Sequence, residues 1–224
     1  MATSFPKRLQ YKTRFQQALL AWFAVHGRDL PWRRTSDPYH ILVSEMMLQQ
    51  TQVERVTPKY AEWLEKYPTL EALAEAELDE VKGTWKGLGY NVRPVRLHSI
   101  ARETVAHYGG ALPPSAAALR RFKGIGRYTA GAVASFAWRL DEPVLDTNVR
   151  RVLFRVFLGT GDPRASAVER YLWTVAARVL PRGHAWEFNS ALMDFGATLC
   201  TARAPRCPAC PMEAFCRVQR RQAR

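Results

Sequence analysis

Four cysteines near the end of the chain limit how that segment can fold. Cys200, Cys207, Cys210 and Cys216 are the only cysteines, and their spacing is C-x6-C-x2-C-x5-C. Four thiolates this close in sequence can ligate one centre, as they do in iron–sulfur clusters. Structural zinc sites usually combine two short knuckles, and here only Cys207 and Cys210 form one. The spacing favours an iron–sulfur cluster, with zinc as the main alternative and a disulfide pair as the third.

The charge balance points to a polyanionic partner. The 224 residues include 33 Lys and Arg against 20 Asp and Glu, a formal net charge of +13. Nucleic acid is the usual partner of such a chain, and a merely basic soluble surface is the alternative. No run of about 18 apolar residues could span a bilayer. We expect a monomer without a membrane partner, in the cytoplasm or another reducing intracellular compartment.

The hydrophobic pattern predicts an all-α protein. No stretch alternates as a β-strand would, and the breaks between periodic segments carry Gly and Pro. Apolar residues recur at helical spacing in nine stretches: 15–23, 41–48, 60–64, 70–81, 95–105, 130–137, 149–158, 168–180 and 188–199.

Residues 117–137 read as two helices joined by a tight glycine turn. Lys123-Gly124-Ile125-Gly126-Arg127 forms the turn, with apolar helical positions on both sides. Two glycines allow backbone N–H groups to face outward at the start of a helix, where they can hold a phosphate. Lys123 and Arg127 add positive charge. An ordinary glycine at a helix end is the alternative, because the G-x-G pattern alone is weak.

Longer motifs make the chain similar to a known family. Two of them, together with the cysteines, resemble the helix-hairpin-helix DNA glycosylase superfamily: Phe122–Gly131 and Val144–Val152. The cysteine spacing is that of its iron–sulfur branch, which includes endonuclease III and the mismatch adenine glycosylases. Three further motifs resemble the adenine glycosylases: Leu30–Arg33, Ser44–Val53 and Gly87–Tyr90.

The resemblance covers residues 15–216 and implies a fold and a cofactor. It implies two helical domains with a DNA-binding cleft between them. Residues 33–140 would form a six-helix barrel that contains the hairpin. Residues 1–32 and 141–224 would form a helical domain with one [4Fe-4S] cluster in the loop 200–216.

Glu45 is the first candidate catalytic residue. At helical spacing it shares a face with Ile41, Leu42 and Leu48, which predicts apolar surroundings. A buried carboxylate favours its protonated form and can act as a general acid, whereas a partly exposed glutamate is the plainer alternative. In the resembled family the matching glutamate protonates a ring nitrogen of the flipped adenine and helps to handle the attacking water.

Asp146 is the second candidate. It precedes the periodic run that begins at Val149, so helix-start preferences first make it an N-cap. The resembled superfamily places its second catalytic carboxylate here, where it would stabilise the positive charge that develops on the sugar. Both roles can coexist. Asn148, two residues later, is expected to orient the carboxylate.

Tyr128 bears on whether the chain cuts the DNA strand after it removes a base. Members resembling endonuclease III have a lysine at this position, whose amine forms a Schiff base and cuts the strand. A phenol cannot form that adduct. We therefore expect base removal that leaves an abasic site, without strong strand cleavage.

The resemblance also assigns residues to the base pocket and to DNA. Four positions match the residues that line the pocket for the flipped base: Trp32, Arg33, Leu48 and Asp194. Three match residues that fill or wedge the gap in the duplex: Gln49, Gln50 and Tyr90. Two arginines in the cysteine loop are expected to contact phosphates: Arg203 and Arg206.

These features predict a monofunctional glycosylase of base excision repair that removes adenine opposite G or 8-oxoguanine. A mismatch thymine or uracil glycosylase, or an oxidised-pyrimidine glycosylase, of the same fold is the first alternative. A non-catalytic cluster protein that senses DNA damage is the second. The chain departs from the adenine pattern at Phe122-Lys123, where Leu-Pro is usual, and at Asn91, where a second aromatic is common. It also ends eight residues after Cys216, where adenine glycosylases usually continue into an 8-oxoguanine-recognition domain.

Overall fold

A computed structural model describes Phe5 and residues 8–222 of the chain. These residues form α-helices joined by turns and short 3-10 segments, and none of them lies in a β-strand. The all-α prediction is therefore confirmed. Within the same residues, no helix is both long and apolar enough to cross a membrane.

The chain divides into two compact units. The central unit is Asp29–Trp138, and the terminal unit combines Met1–Arg28 with Arg139–Arg224. The sequence placed these boundaries near residues 33 and 140.

The central unit is built around one helix that is buried on all sides. It contains seven helices: α2 (Pro38–Met47), α3 (Val53–Lys66), α4 (Leu70–Glu75), α5 (Leu78–Thr84), α6 (Val92–Tyr108), α7 (Ala116–Leu119) and α8 (Arg127–Trp138). Asp37 begins α2, because its side chain accepts from the amides of Tyr39 and His40 and Pro38 occupies the first turn. Every residue from Ile41 to Met47 is buried, as expected for a helix in the middle of a core.

The structure differs from the prediction in two of the helical stretches. The stretch 70–81 is two helices, α4 and α5, because the backbone is extended at Ala76 and a new helix begins after Glu77. The stretch 149–158 is α-helical only as far as Leu153 and continues as a π-helical turn, Phe154–Leu158, which ends at the left-handed Gly159. Periodicity alone does not detect either change, since both pieces keep their apolar face.

The terminal unit packs helices from both ends of the chain. It contains α1 (Lys12–His26), α9 (Thr147–Leu153), α10 (Ser166–Val179), α11 (Ala185–Thr198) and α12 (Arg217–Gln222), and α11 packs against α1 and α9. The Phe15 ring meets those of Phe157 and Phe188 edge-on in the core. Gly196 lets α11 approach α9 closely, because a Cβ there would lie 2.7 Å from the Asn148 Cβ.

A buried chain of hydrogen bonds crosses the central unit. The Tyr39 hydroxyl donates to the Tyr67 carbonyl at 2.8 Å and accepts from the Trp63 indole at 3.1 Å. The Tyr67 hydroxyl meets the Thr84 hydroxyl at 3.2 Å. Desolvation by burial raises the pKa of Tyr39, so its phenol stays protonated and can donate. This hydroxyl therefore satisfies two polar groups in a core that water does not reach.

We expect Tyr39→Phe to destabilise the protein by about 1–3 kcal/mol, because it leaves the Trp63 N–H and the Tyr67 carbonyl without a partner. Urea unfolding measures the change. Tyr108→Phe is the control, since the Tyr108 ring is only half-buried and packs against Phe122. Equal stability of the two variants would show that the buried hydroxyl contributes nothing.

Candidate active site and cysteine loop

Glu45 lies in the middle of the buried helix α2. Only 2% of its surface is exposed. The sequence left open whether this glutamate is buried among apolar side chains or partly exposed, and the structure has it buried. The hydroxyl of Tyr128, the second residue of α8, donates to Glu45 Oε2 at 2.7 Å. The helix that follows the glycine turn thus supplies a polar partner for this carboxylate. A buried carboxyl held by a directed hydrogen bond suits proton transfer.

Asp146 begins helix α9, as its position in the sequence predicts. Its Oδ1 accepts from the Val149 amide at 2.6 Å, which makes it the N-cap. Its Oδ2 accepts from the Asn148 side-chain amide at 3.1 Å, as expected for an orienting residue. The carboxylate is therefore fixed through both oxygens.

The electrostatic environment of Asp146 contains opposing influences. Burial raises the pKa of Asp146, while hydrogen bonds from Val149 and Asn148 and the charge of Arg151 act to lower it. Asp146 is only half-buried as a residue, so its carboxyl remains accessible although it lies deep in the fold. The hydrogen bonds compensate part of the cost of holding a carboxylate here.

Arg151 connects the Asp146 cap to the cysteine loop. Its Nη2 donates to Asn148 Oδ1 at 2.8 Å and to the Gly196 carbonyl at 2.5 Å. Its Nε donates to the Cys200 carbonyl at 2.8 Å. A hydrogen-bonded path therefore runs from Asp146 through Asn148 and Arg151 to the first cysteine. No pattern in the sequence indicates that Arg151 makes these contacts.

Arg155 holds the cysteine loop from the next turn. Its Nη1 donates to the Thr201 carbonyl at 2.7 Å and to Cys200 Sγ at 3.4 Å. Its own carbonyl accepts from Cys216 Sγ at 3.4 Å. The π-helical turn thus contacts both the first and the last cysteine. Nothing in the sequence separates this arginine from the many surface arginines.

The four thiols fit a metal centre in chemistry, although their arrangement is not that of a closed site. Among the described residues, no group of three or more His, Cys, Asp or Glu side chains is arranged to hold a metal ion. Burial raises the pKa of Cys210 to about 11, with a backbone hydrogen bond from Met212 opposing it and the other three cysteines adding to it. Burial also raises the pKa of Cys216. Thiolates here need a cationic partner, and iron or zinc would supply one.

The residues predicted for the base pocket lie in both units. In the central unit, Trp32 is buried with its ring edge-on to Tyr60, and Arg33 and Leu48 are half-buried. In the terminal unit, Asp194 is fully buried and accepts from the Arg28 amide at 2.9 Å and the Arg28 guanidinium at 2.7 Å. Asp194 therefore has a structural partner, and the pocket role of all four stays a prediction.

The residues predicted to contact DNA are mostly at the surface. Gln50 and Tyr90 are exposed, and the Tyr90 hydroxyl donates to Gln50 Oε1. Gln49 is half-buried, with its amide 3.5 Å from the Met46 sulfur. The cations at the glycine turn and in the cysteine loop are all exposed: Lys123, Arg127, Arg203 and Arg206.

The first position of the glycine turn favours glycine. Gly124 has φ 104°, a conformation that residues with a side chain rarely adopt, and a Cβ there would lie 2.6 Å from the Arg96 Cδ. Gly126 is exposed immediately before α8. Its carbonyl accepts from the Ala130 amide at 3.0 Å and so begins that helix.

Comparison with known proteins identifies the family. Residues 43–178 match the HhH-GPD superfamily of base excision DNA repair proteins, which is more than half of the chain. The chain belongs to this superfamily. Among curated relatives, the human adenine DNA glycosylase is 44% identical over 218 residues, which cover 93% of this chain and 40% of the relative. The adenine DNA glycosylase of Mycolicibacterium smegmatis is 48% identical over 195 residues, which cover 87% of this chain and 66% of the relative.

This HhH-GPD chain therefore spans between 40% and 66% of those two relatives. Among solved structures, a thermostable thymine-DNA glycosylase has a TM-score of 0.88 and 31% identity, with 95% of this chain and 98% of that chain covered. A trapped endonuclease III–DNA covalent intermediate has a TM-score of 0.80 and 24% identity, with 95% and 99% covered. The second likeness shows the fold alone.

We expect Asp146→Asn to become more stable relative to the wild type as the pH rises. The pKa of folded Asp146 lies above its ordinary value of 3.8, so the folded state holds the proton more tightly than the unfolded chain. Its contribution to stability is present at low pH and is lost as the pH rises above 3.8 through the folded pKa. Urea unfolding from about pH 4 to about pH 8 measures the difference.

Asp162→Asn, at an exposed carboxylate of the same unit, controls for loss of a surface charge. If Asp146→Asn and the wild type differed by the same free energy throughout this range, Asp146 would titrate below it, and the burial argument would be wrong.

Proposed function

We propose that this chain is a monofunctional DNA glycosylase that removes adenine opposite G or 8-oxoguanine from duplex DNA. One observation carries the proposal: a buried glutamate on the central helix is hydrogen-bonded by a phenol at the start of the hairpin helix. The identity of 44–48% to adenine DNA glycosylases supports adenine as the base.

Glu45 would act as the general acid. Its apolar surroundings favour the protonated form, which can protonate a ring nitrogen of the flipped base and so weaken the N-glycosidic bond. The Tyr128 hydroxyl orients this carboxyl and stabilises its charge after the proton has left. A phenol cannot form a Schiff base with the sugar, so the strand would stay intact after base removal.

Asp146 would act on the sugar. Loss of the base leaves an oxocarbenium-like sugar, which a fixed carboxylate stabilises electrostatically. The amides of Val149 and Asn148 hold Asp146 in place, so little reorganisation is needed as the charge develops. Water then adds to the sugar carbon, and Glu45, now ionised, is suited to accept its proton.

The surface residues would hold the duplex. The exposed turn from Lys123 to Arg127 offers amides and cations to one phosphate, which fixes position without reading sequence. Tyr90, which is 56% exposed, offers a flat ring to a base step, and Gln50 lies beside it. The net charge of +13 supplies long-range attraction to DNA.

We also propose that Cys200, Cys207, Cys210 and Cys216 hold one [4Fe-4S] cluster. When bound, the cluster would supply four strong bonds to a loop that has little apolar core of its own. The loop then presents Arg203 and Arg206, both exposed, to phosphates. Zinc remains the alternative, because four thiols suit either metal.

Removal of mismatched thymine is the second candidate function. The likeness to a thymine-DNA glycosylase at 31% identity, over 98% of that chain, favours it specifically. Glu45, Tyr128 and Asp146 would serve both reactions, because the chemistry at the sugar is the same. The base pocket alone would separate the two.

A panel of duplexes tests the function. Each carries A, T, U or an oxidised pyrimidine opposite G or 8-oxoguanine, and alkaline cleavage scores which base leaves. We expect adenine release that Glu45→Gln and Asp146→Asn reduce by at least about a hundredfold, because each removes one catalytic group but keeps its shape. Both variants should bind the duplex nearly as tightly as the wild type.

Thr147→Ala is the matched control, since Thr147 is exposed between Asp146 and Asn148. Release of thymine and not adenine would support the second candidate. Full activity of either carboxylate variant would remove it from the mechanism. Binding without release of any base would favour a damage sensor.

The metal is tested by composition. We expect about four iron atoms and matching sulfide per chain, and we expect Cys210→Ser to lose them because an alcohol is a poor ligand for this cluster. Elemental analysis and visible absorbance measure the change. Ala209→Ser, at an exposed neighbour, controls for the added hydroxyl. A colourless protein with one zinc per chain would contradict the cluster.

A further inference from the structure

Arg93, near the start of α6, is a buried cation whose hydrogen bonds all reach two neighbouring loops. It is 2% exposed. Its Nη1 donates to three carbonyls at and after the end of α2: Met46 at 2.8 Å, Met47 at 2.9 Å and Gln49 at 2.7 Å. Its Nη2 donates to the carbonyls of Leu88 at 3.0 Å and Gly89 at 2.9 Å, and to the Thr51 hydroxyl at 3.3 Å.

The two loops share an unusual backbone conformation. Gln50 has φ 56° and Tyr90 has φ 49°, so both lie in the left-handed region that favours glycine. A residue with a side chain adopts it at an energetic cost, and it persists only where the surroundings impose it. Each directly follows a residue whose carbonyl Arg93 holds, Gln49 or Gly89.

The side chains of these two residues meet above the guanidinium. The Tyr90 hydroxyl donates to Gln50 Oε1. The Arg93 guanidinium carbon lies 5.3 Å from the Tyr90 ring centroid and 5.2 Å from that of Trp85. One cation thus contacts the backbone of both loops and the ring of the exposed tyrosine.

We propose that Arg93 is a positioning residue that fixes Gln50 and Tyr90 in the conformation in which they enter DNA, before DNA binds. The proposal rests on the proposed function, since it assigns these two residues to the duplex. An arginine is required because its two Nη groups together reach both loops, Nη1 binding the first loop and Nη2 binding both, whereas a lysine offers a single point of charge. The residue itself touches no substrate.

If Arg93 fixes the two loops, it should affect only the DNA binding in which these loops take part. Loops held in their bound conformation lose little entropy when DNA binds, so affinity for a duplex with an extruded base is higher. Binding to an intact, matched duplex depends on phosphate contacts elsewhere and is independent of these loops. Arg93 should therefore affect the ratio of the two affinities.

Hydrogen exchange of the free protein tests the positioning directly. We expect Arg93→Lys and Arg93→Gln to speed amide exchange in residues 48–52 and 86–91 together, with the rest of the central unit unchanged. Arg102→Lys is the matched control, because Arg102 lies on the same helix and is exposed. Faster exchange in only one segment, or in neither, would overturn the proposal, as would global unfolding of both variants.

DNA binding tests the consequence. The ligands are a duplex with a non-hydrolysable 2′-fluoro-deoxyadenosine opposite G and its matched counterpart. We expect Arg93→Lys to weaken mismatch binding about tenfold and to leave matched binding within about twofold. In a Tyr90→Ala background the tenfold effect should become clearly smaller, because only Gln50 is then left for Arg93 to position.

An equal loss of affinity for both duplexes, or an undiminished effect in Tyr90→Ala, would show that Arg93 only stabilises the fold. The exchange measurement needs no substrate. If the wild type released no adenine and did not prefer the mismatch, the proposed function would fail, while exchange would still decide whether Arg93 sets the two loops.

Discussion

Two guanidinium groups, one in each unit, hold the backbone near the site residues by binding carbonyls at the end of a helix. Such carbonyls have no partner within the helix and carry partial negative charge, so they are good acceptors for a cation that is buried, as Arg93 is, or half-buried, as Arg151 is. Arg93 binds the last carbonyls of α2, including that of Met47. Arg151 binds the carbonyls of Gly196, near the end of α11, and Cys200, just beyond it. Each cation therefore joins the end of a helix to the functional loop that follows it.

The two carboxyl groups lie in different surroundings. Glu45 lies in mid-helix among apolar side chains, and the Tyr128 hydroxyl donates to its Oε2. Asp146 lies at the start of a helix, with two N–H groups directed at its oxygens and Arg151 nearby, and these stabilise the anion against the effect of burial. The roles proposed for them, proton donation by Glu45 and charge stabilisation by Asp146, correspond to this difference in surroundings.

The sequence predicted the parts of the structure that depend on local pattern. The all-α fold, the hairpin helices and the Asp146 cap follow from periodicity, glycine placement and helix-start preference, all of which act within a few residues. The sequence did not predict the break at Ala76 or the contacts of Arg93 and Arg151. In a chain with 33 basic residues an arginine resembles any other, and its acceptors are backbone carbonyls, which leave no mark on the sequence. Such contacts are specified by tertiary packing.

The position of Asp146 is set by more than its own helix. Asn148 holds one carboxylate oxygen, Arg151 holds Asn148, and the same guanidinium holds the backbone at Cys200. Gly196 allows this arrangement, since any Cβ there would separate α11 from Asn148. Each member of the path is fixed by the next, so displacement of the loop at Cys200 would remove an acceptor from Arg151, a half-buried cation. The geometry of the carboxylate and the order of the cysteine loop are therefore properties of a single hydrogen-bonded network within the terminal unit.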